Sequence, residues 1–264
     1  MARADKPLIN GKAPHLMCTK DDIGEIVFLP GDPGRVKIFG ELFDEFNIIA
    51  SNREYTIGTG YYNGVKMSVC STGIGAPSTE IAVVELVELG AKCLIRVGGC
   101  GVLKKEISCG DLVINTAAIR KGGSSIFYAP IEYPAVASYE VTTALVDAAK
   151  ANNMKAYCGL AASIGSFFAG QGRPAVGIDF NDHDVCEYYK KLNVINMEME
   201  CETIMTLGSL FDVYTGSICA VHANRETNEW LEDFEPAQKK MCKTALDTGV
   251  LINQRLLNEK EVNS

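Results

Sequence analysis

The chain has 264 residues, of which 47% are hydrophobic, and carries a formal net charge of −8 at pH 7. That length allows one large α/β domain with a sizeable core, and the acidic balance argues against nucleic-acid binding through a broad basic face. The ten cysteines are scattered without zinc-like spacing, and no apolar stretch reaches the length of a membrane span. We therefore expect a soluble, cytoplasmic protein of a reducing compartment.

The first part of the chain predicts an arm, a strand and a helix. Residues 1–22 are turn-rich and contain one histidine, His15, so we interpret them as an N-terminal arm laid over the fold. The apolar run 25–30 predicts a buried strand, and Gly-Asp-Pro-Gly-Arg at 31–35 leads from it into a helix. Because the amino end of a helix presents free N–H groups, this corner suits an anion.

An antiparallel pair is predicted next. Residues 47–60 and 64–71 lie around an Asn-Gly dipeptide, which is typical of a tight hairpin turn. On this interpretation Arg53 and Glu54 lie near the start of the first strand.

Residues 67–101 contain the stretch around which we expect the chain to be organised. They run from an apolar strand through a glycine-punctuated loop and an amphipathic helix to a second strand and loop, which indicates a β-α-β unit. Both loops follow the carboxyl ends of strands, where open α/β sheets bind ligands. Arg96 ends the second strand beside Gly98 and Gly99, whose backbone N–H groups can approach an anion closely. A nearly buried arginine needs an anionic partner, either a structural carboxylate or a ligand.

The second half of the chain continues the alternation of strands and helices. Strands are predicted at 111–119, 156–164, 193–200 and 215–223, and helices at 139–152, 182–191, 201–210 and 236–257, before a polar tail at 258–264. The aromatic loop 121–138 is long for a compact domain, and loops of this length more often have a function than not. With no repeat and no linker, one domain over residues 1–264 is the simplest interpretation.

Two carboxylates end the predicted strand 193–200. Alternation places Glu198 and Glu200 on one face, with Met199 on the other. Paired carboxylates at a strand end can bind vicinal hydroxyls, ligate a metal or act as acid and base. Because Glu200 directly precedes a helical run, capping of that helix is the structural alternative.

A glycine-rich loop carries an amide next to a guanidinium. Gln171 offers a donor and an acceptor, and with Arg173 it can read the edge of a planar imide such as uracil. Phe167 or Phe168 can stack on such a ring. The alternative is a loop with exposed polar tips and a core aromatic side chain.

Five motifs, taken together in this order and spacing, resemble the nucleoside phosphorylase-I family over most of the chain. They are G-D-P-G-R (31–35), S-T-G-I-G-A-P-S (71–78), R-V-G-G-C-G (96–101), F-F-A-G-Q-G-R (167–173) and N-M-E-M-E (196–200). The resemblance implies a single-domain, three-layer α/β/α sandwich with a central mixed, twisted sheet.

The resemblance also implies a pentosyltransferase in which phosphate displaces the base from C1′ of a nucleoside. It is greatest to the branch of the family that converts uridine into uracil and ribose 1-phosphate. Inorganic phosphate is then a co-substrate, and no further cofactor is required. The alternatives are a purine nucleoside phosphorylase, a nucleosidase on the same fold, and a nucleoside-binding protein without catalysis.

Individual roles follow from the same resemblance. Phosphate would be held by Gly31, Arg35, Arg53, Arg96 and Gly99, ribose by His15, Glu198, Met199 and Glu200, and the base by Phe167, Gln171, Arg173, His222 and Arg225. Arg96, Gln171 and Arg173 would be catalytic, because bond cleavage develops positive charge on the sugar and negative charge on the base.

Active sites in this family are shared between subunits. The resemblance implies that His15 and Arg53 reach the site of a neighbouring subunit, and hence a homo-oligomer, either a dimer or a hexamer built as a trimer of dimers. It further implies a site for a monovalent cation such as K⁺ near Glu54, Ile74 and Ser78.

Three positions, at two places in the chain, depart from the pattern of similar enzymes. Gly99 stands where they carry threonine or serine, so a hydroxyl contact to phosphate or ribose is missing. His222 and Ala223 stand where uridine enzymes carry aliphatic residues. The purine branch places an aspartate at this strand end, and its absence here favours a pyrimidine base.

Overall fold

The computed structural model describes residues 4–5, 7–180 and 184–262. The strands are β1 (Ile26–Leu29), β2 (Glu45–Asn52), β3 (Tyr55–Tyr62), β4 (Val65–Cys70), β5 (Cys93–Val102), β6 (Leu112–Lys121), β7 (Ala135–Val136), β8 (Ala156–Ile164), β9 (Val194–Glu198), β10 (Tyr214–Asn224) and β11 (Glu229–Trp230). The helices are α1 (Pro33–Gly40), α2 (Ala76–Glu88), α3 (Tyr139–Ala151), α4 (Val185–Lys191), α5 (Cys201–Leu210) and α6 (Glu235–Val262).

The strands form a single mixed sheet that partly closes on itself. Its order is β11-β10-β6-β8-β9-β5-β1-β4-β3-β2, with β7 paired to β6. Strand β10 also pairs with β5, so β10, β6, β8, β9 and β5 form a closed ring. Strands β1, β4, β3 and β2 extend from β5 as an open sheet, and β11 pairs with β10. The mixed sheet agrees with the predicted fold class.

The predicted β-α-β unit is confirmed. Strands β4 and β5 both lie parallel to β1, which is inserted between them, and β10 lies parallel to β5 on its other side. Since these four strands run in the same direction, their carboxyl ends meet at one edge of the sheet. The loops that follow β1 and β4 therefore lie next to the second half of β5.

Helices cover both faces of the open sheet. On one face, apolar side chains of α1, α3 and α6 pack with the sheet, and the stacked rings of Phe28 and Phe39 lie 5.2 Å apart in this layer. On the other face, side chains of α2 and α5 form a second apolar cluster with Leu16 and Cys18 of the N-terminal arm. The result is the three-layer arrangement that the family resemblance implies.

The predicted strand 47–60 is wrong. The chain turns back at residues 53–54, where Arg53 has a φ of +54°, so β2 and β3 form a hairpin of their own. The Asn-Gly turn does exist, but it joins β3 to β4. The first turn has no glycine to mark it, so the sequence does not show where the strand is interrupted. Arg53 and Glu54 consequently lie at a hairpin tip and not within a strand.

Other boundaries shift by smaller amounts. Strand β9 ends at Glu198, so Glu200 is the N-cap residue of α5 and does not continue the strand. Helix α4 begins at Val185, and residues 182–183 of the helix predicted at 182–191 lie outside the described residues. Helix α6 continues to Val262, into the predicted polar tail. No helix in the described part of the chain is long and apolar enough to cross a membrane.

Candidate active site

A cavity of about 570 Å³ opens at the carboxyl ends of the parallel strands. Most of the residues singled out from the sequence line it. They are Gly31, Arg35, Ile74, Arg96, Gly99, Phe167, Gln171, Arg173, Glu198, Met199, Glu200 and His222. The structure thus brings together residues from five separate motifs, as the parallel strand order requires.

The glycine loops after β1 and β4 pack directly against each other. The amide of Gly73 donates to the carbonyl of Gly31 at 3.0 Å, and a Cβ atom on Gly31 would lie 2.9 Å from the Gly73 carbonyl oxygen. Asp32 then caps α1 by accepting from the amide of Gly34 at 2.8 Å. The close approach of the two loops explains the glycines and closes one wall of the cavity.

Arg35 is a buried cation without a carboxylate partner. It is 5% exposed, and its Nη1 donates to the carbonyl of Val97 at 2.9 Å. Its Nε is buried and has no hydrogen-bond partner, and it forms no ion pair with any residue that the structure describes. Burial lowers the pKa of Arg35, and the positive charge of Arg96 lowers it further. Such an arrangement is stabilised when an anion enters the cavity.

Arg96, in contrast, is already paired. Its Nε lies 2.6 Å from Oε2 of Glu198, and its Nη2 contacts Oε2 of Glu200. Burial opposes its charge, but Glu200 and Glu198 raise the pKa of Arg96 well above its usual value. Of the two partners considered for Arg96 from the sequence, the structure shows the carboxylate, while the guanidinium also borders the cavity.

The glycines after Arg96 have a steric purpose that the sequence did not reveal. A Cβ atom on Gly98 would lie 2.7 Å from Cζ of Arg96, so this glycine lets the guanidinium fold back along its own strand. A Cβ atom on Gly99 would lie 2.4 Å from Cε1 of His222. These glycines therefore make room for two side chains, in addition to any contact of their amides.

Glu198 is a buried structural carboxylate. Its Oε2 accepts from the amides of Glu200 at 2.8 Å and Cys201 at 2.9 Å, and its Oε1 accepts from the hydroxyl of Ser163. Burial opposes its ionisation, but Arg96 and these hydrogen bonds lower the pKa of Glu198. The capping of α5 that was considered for Glu200 is performed by Glu198. The predicted alternation of side chains does not extend to Glu200, because the strand ends at Glu198.

Glu200 links the cavity to the start of α2. Its Oε1 accepts from the amide of Gly75 at 2.5 Å, and its Oε2 faces Arg96. Burial raises the pKa of Glu200, Arg96 opposes that rise, and the nearby Glu198 adds to it. With Met199 beside it in the cavity wall, this carboxylate has fewer donors than Glu198 and is the one suited to bind hydroxyl groups of a ligand.

The amide and guanidinium predicted to read a base do form a unit. Nη1 of Arg173 donates to Oε1 of Gln171 at 2.7 Å and to the carbonyl of Phe167 at 2.8 Å. The guanidinium also lies 4.0 Å above the ring of Phe167. Burial and the charge of Arg225 lower the pKa of Arg173 to about 10, so it remains a cation at neutral pH.

Arg225 supports this unit from behind the cavity. It does not line the cavity, but its Nη1 donates to the carbonyl of Gln171 at 2.8 Å and its Nη2 to that of Gly172 at 3.3 Å. Trp230, which also lines the cavity, was missed by the sequence analysis. Its signal was only that it is the single tryptophan of the chain and lies in a polar segment.

His15 and Arg53 lie outside the cavity. Nδ1 of His15 is 2.6 Å from Oε1 of Glu85, and the carbonyl of His15 accepts from Asn52 at 2.9 Å, next to the hairpin tip with Arg53. We call this surface, formed by His15, Asn52, Arg53, Glu54, Ile74 and Ser78, the arm–hairpin edge. Three of these residues, Glu54, Ile74 and Ser78, form the predicted cation site and lie around Gly73.

The three residues of the predicted cation site are neighbours. The side chains of Glu54 and Ser78 both flank Gly73, and the hydroxyl of Ser78 lies 3.4 Å from the carbonyl oxygen of Ile74. The described residues contain no cluster of three histidine, cysteine, aspartate or glutamate side chains suited to a metal ion. The oxygen set consists of one carboxylate, one carbonyl and one hydroxyl.

Comparison with known proteins identifies the family. The family model of the phosphorylase superfamily matches residues 25–248. The uridine phosphorylase of Thermococcus kodakarensis is 45% identical over 249 residues, covering 94% of this chain and 88% of the relative. The uridine phosphorylase of Escherichia coli is 38% identical over 224 residues, covering 81% and 87%, and the guanosine phosphorylase of Halorubrum lacusprofundi is 38% identical over 216 residues, covering 81% and 84%. The chain belongs to the phosphorylase superfamily.

Proposed function

We propose that this chain is a uridine phosphorylase, which converts uridine and phosphate reversibly into uracil and ribose 1-phosphate. The observation that carries the proposal is the cavity itself. A buried arginine without a carboxylate partner, Arg35, lines the same 570 Å³ space as the Gln171–Arg173 pair. The relatives named uridine phosphorylase support the same substrate.

The arrangement suits a reaction that separates charge. Cleavage of the N-glycosidic bond leaves positive charge on the sugar and negative charge on the base. A phosphate dianion beside Arg35 and Arg96 stabilises the first, and the Gln171–Arg173 pair stabilises the second. Phosphate fixed below C1′ is also already positioned for attack, which lowers the entropic part of the barrier.

Glu200 is the residue that we assign to the ribose hydroxyls. Its carboxylate borders the cavity between Arg96 and the loop after β4, and Met199 provides an apolar surface for the sugar. In this assignment Glu198 acts through Arg96 and the start of α5, because its oxygens are already occupied by the protein. It is therefore a positioning residue.

A pyrimidine base fits the end of β10 better than a purine. The residue that could donate a proton to a purine would stand near Asn224, but this amide is buried and donates to the carbonyls of Lys104 at 3.1 Å and Ile107 at 2.8 Å. A carboxamide is too weakly acidic to serve as a general acid, and the hydrogen bonds of Asn224 give it a structural role instead. The paired Gln171 and Arg173 remain to recognise the base.

We also propose a homo-oligomer with shared sites, either a dimer or a trimer of dimers. The arm–hairpin edge supports it, because Arg53 is exposed there and the apolar side chain of Ile74 is 79% exposed at the mouth of the cavity. Across a two-fold axis, His15 and Arg53 would reach the mouth of the partner's cavity.

A monovalent cation such as K⁺ fits the same edge. Glu54, the carbonyl of Ile74 and the hydroxyl of Ser78 are hard oxygen ligands, and a two-fold copy would double the set. The cation would hold the two edges together and supply no step of the reaction. A cytoplasmic location is our further proposal, and the ten free cysteines support it because such thiols persist in a reducing compartment.

The test is an absorbance assay with uridine, thymidine and inosine, with and without inorganic phosphate. We expect uracil release from uridine only when phosphate is present, and slower release of hypoxanthine from inosine. Release without phosphate would identify a nucleosidase. No release from any nucleoside would identify a binding protein, and either result would contradict the proposal.

A further inference from the structure

Gly99 and His222 occupy one space between them. A Cβ atom on Gly99 would lie 2.4 Å from Cε1 and 2.5 Å from Nδ1 of His222, closer than real Cβ contacts come. Gly99 has no positive φ that would itself require a glycine. The imidazole, and not the backbone, therefore excludes a side chain from the middle of the cavity floor.

A β-bulge directs the imidazole to this position. In the pairing of β10 with β5, Val221 lies opposite Cys100 and Ala223 opposite Gly101, so His222 is the extra residue. Bulges of this kind redirect one side chain, and they are common next to active sites. Without the bulge, the residue at 222 would continue the regular alternation of the strand.

The position of the ring is then fixed by its neighbours. The carbonyl of His222 accepts from the amide of Leu231 at 2.8 Å. The ring stacks on Phe234, with the centroids 4.8 Å apart and the planes 20° from parallel. A ring held from the backbone and on one face has little freedom to turn away from the cavity.

One ring nitrogen is left without a partner. Nε2 of His222 is buried and makes no hydrogen bond to any described residue, and Nε of Arg35 in the same cavity is in the same condition. Buried polar atoms are rarely left unsatisfied, and exceptions in a cavity are typical of atoms reserved for a ligand. Nε of Arg96, a third cavity atom without a hydrogen bond, has a Glu198 oxygen 2.6 Å away. The two atoms that have no partner among the described residues therefore lie on α1 and β10, and they indicate one shared ligand.

The charges specify the kind of ligand. Burial, and next the positive charge of Arg35, lower the pKa of His222 to about 4, so the ring is neutral at pH 7. A neutral imidazole still carries one N–H donor. A neutral donor beside an arginine that has no carboxylate partner suits an oxyanion, which accepts hydrogen bonds and cannot donate many in return.

We propose that His222 is a phosphate ligand of this enzyme, donating an imidazole N–H to a phosphate oxygen from the place that a side chain at residue 99 would otherwise occupy. This inference rests on the proposed function. It moves His222 from the base, where the resemblance had placed it, to the anion. On this proposal, residue 99 is a glycine because the imidazole of His222 needs the space. The missing hydroxyl contact at residue 99 is replaced by the contact of the histidine.

The kinetic test begins with His222→Phe, which keeps a ring against Phe234 and removes the donor. We expect the KM for phosphate to rise about ten- to hundredfold, as for a lost hydrogen bond to a charged group, with the KM for uridine within about twofold of the wild type. A raised KM for uridine with an unchanged KM for phosphate would assign His222 to the base. No change in either would make it a space-filling residue, and both results overturn the proposal.

A second pair of variants tests whether a hydrogen-bond donor at residue 99 can replace the imidazole of His222. Gly99→Ser alone should impair phosphate use, because its Cβ meets the imidazole. In a His222→Ala background, the same Gly99→Ser change should recover most of the phosphate affinity, since the space is free and a hydroxyl donor has returned. If Gly99→Ser is equally harmful in both backgrounds, the two residues do not substitute for each other and the proposal fails.

Binding without turnover separates this inference from the proposed function. The chain has three histidines, so the imidazole signals of His222 can be identified in NMR spectra by comparison with His222→Phe. We expect inorganic phosphate to shift the ring signals of His222 in the wild-type protein, whether or not uridine is cleaved. Phosphate that raises the melting temperature and leaves these signals in place would overturn the inference alone.

Discussion

At the scale of single residues, the two cavity arginines play different parts. Arg96 has two carboxylate partners, and Arg35 has none. A buried charge without a partner destabilises the empty protein, whereas a paired charge becomes costly only when its partner is removed. The affinity for an anion should therefore come chiefly from Arg35, while Arg96 keeps the two glutamates and the start of α5 in place.

This difference predicts opposite effects on stability. In phosphate-free buffer, Arg35→Met should leave the free energy of unfolding within about 1 kcal/mol of the wild type or raise it, because one uncompensated buried charge is removed. The same variant should lose roughly 10²–10³ of the phosphate-dependent rate. Urea unfolding and the uridine assay measure the two quantities.

Arg96→Met is the matched control. It leaves Glu198 and Glu200 buried without their cation, and should cost about 3–5 kcal/mol of stability as well as activity. If Arg35→Met were as destabilised as Arg96→Met, then Arg35 would be a structural residue and its role as the anion-binding group would be refuted.

The residue types of the site could be predicted from the sequence, but their contacts could not. Motif order placed Arg96, Gln171 and Arg173 at one edge of the sheet, as found. The pairing of Arg96 with both glutamates depends on how β9 ends, and the reason for Gly99 depends on a bulge in β10. Neither a strand end nor a bulge has a reliable sequence signal, because each is decided by neighbouring strands that are distant in sequence.

At the scale of elements, α2 connects the cavity to the N-terminal arm. Its first residues follow Gly75, whose amide binds Glu200, and its third turn carries Glu85. The carboxylate of Glu85 accepts from the amides of His15 at 3.2 Å and Leu16 at 2.9 Å and contacts the His15 ring. One buried side chain thus holds the arm and orients its histidine.

Glu85→Ala should therefore release the arm. We expect the amides of His15 and Leu16 to exchange with deuterium about ten- to hundredfold faster, and trypsin to cleave earlier after the exposed Lys12. Glu88→Ala, on the exposed face of the same helix, is the control that should change neither. Unaltered exchange in Glu85→Ala would show that the apolar contacts of Leu16 and Cys18 alone hold the arm.

Most elements could be predicted because each is locally consistent. The bounds of α3, β8 and α5 agree with the patterns to within one residue, since glycines and polar turns delimit strong apolar periodicity there. The two-residue strands β7 and β11 were missed, because strands that short have no periodicity of their own. The hairpin at Arg53 was missed because its turn uses non-glycine residues, one of them at positive φ.

At the scale of the whole molecule, the proposed sharing of sites makes an exact prediction about mixed subunits. Arg35→Met and Arg53→Ala should each be nearly inactive. Coexpression should restore about a quarter of the activity, because half of randomly paired subunits are mixed and each mixed pair has one complete site. The assay is uridine turnover per subunit after purification of the mixture.

The control for this experiment mixes Arg35→Met with Gln171→Ala. Both residues line the cavity of their own chain, so no mixed pair has a complete site and no activity should return. If activity returned in this control, the recovery would not depend on Arg53. If no activity returned in the Arg35 and Arg53 mixture, Arg53 would lie outside the partner's site. Either result would contradict sharing through the arm–hairpin edge.

Strand β5 lies in the middle of the sheet and is hydrogen-bonded to neighbouring strands along both of its edges. It pairs with β10 over most of its length, with β1 near its beginning and with β9 at its end. Because both of its edges are hydrogen-bonded within the sheet, the strand that carries Arg96 and Gly99 has little freedom to move. We therefore expect that substitutions at Phe167 and Trp230, which line the cavity from outside this strand, can change the preferred base without displacing Arg96 or Gly99.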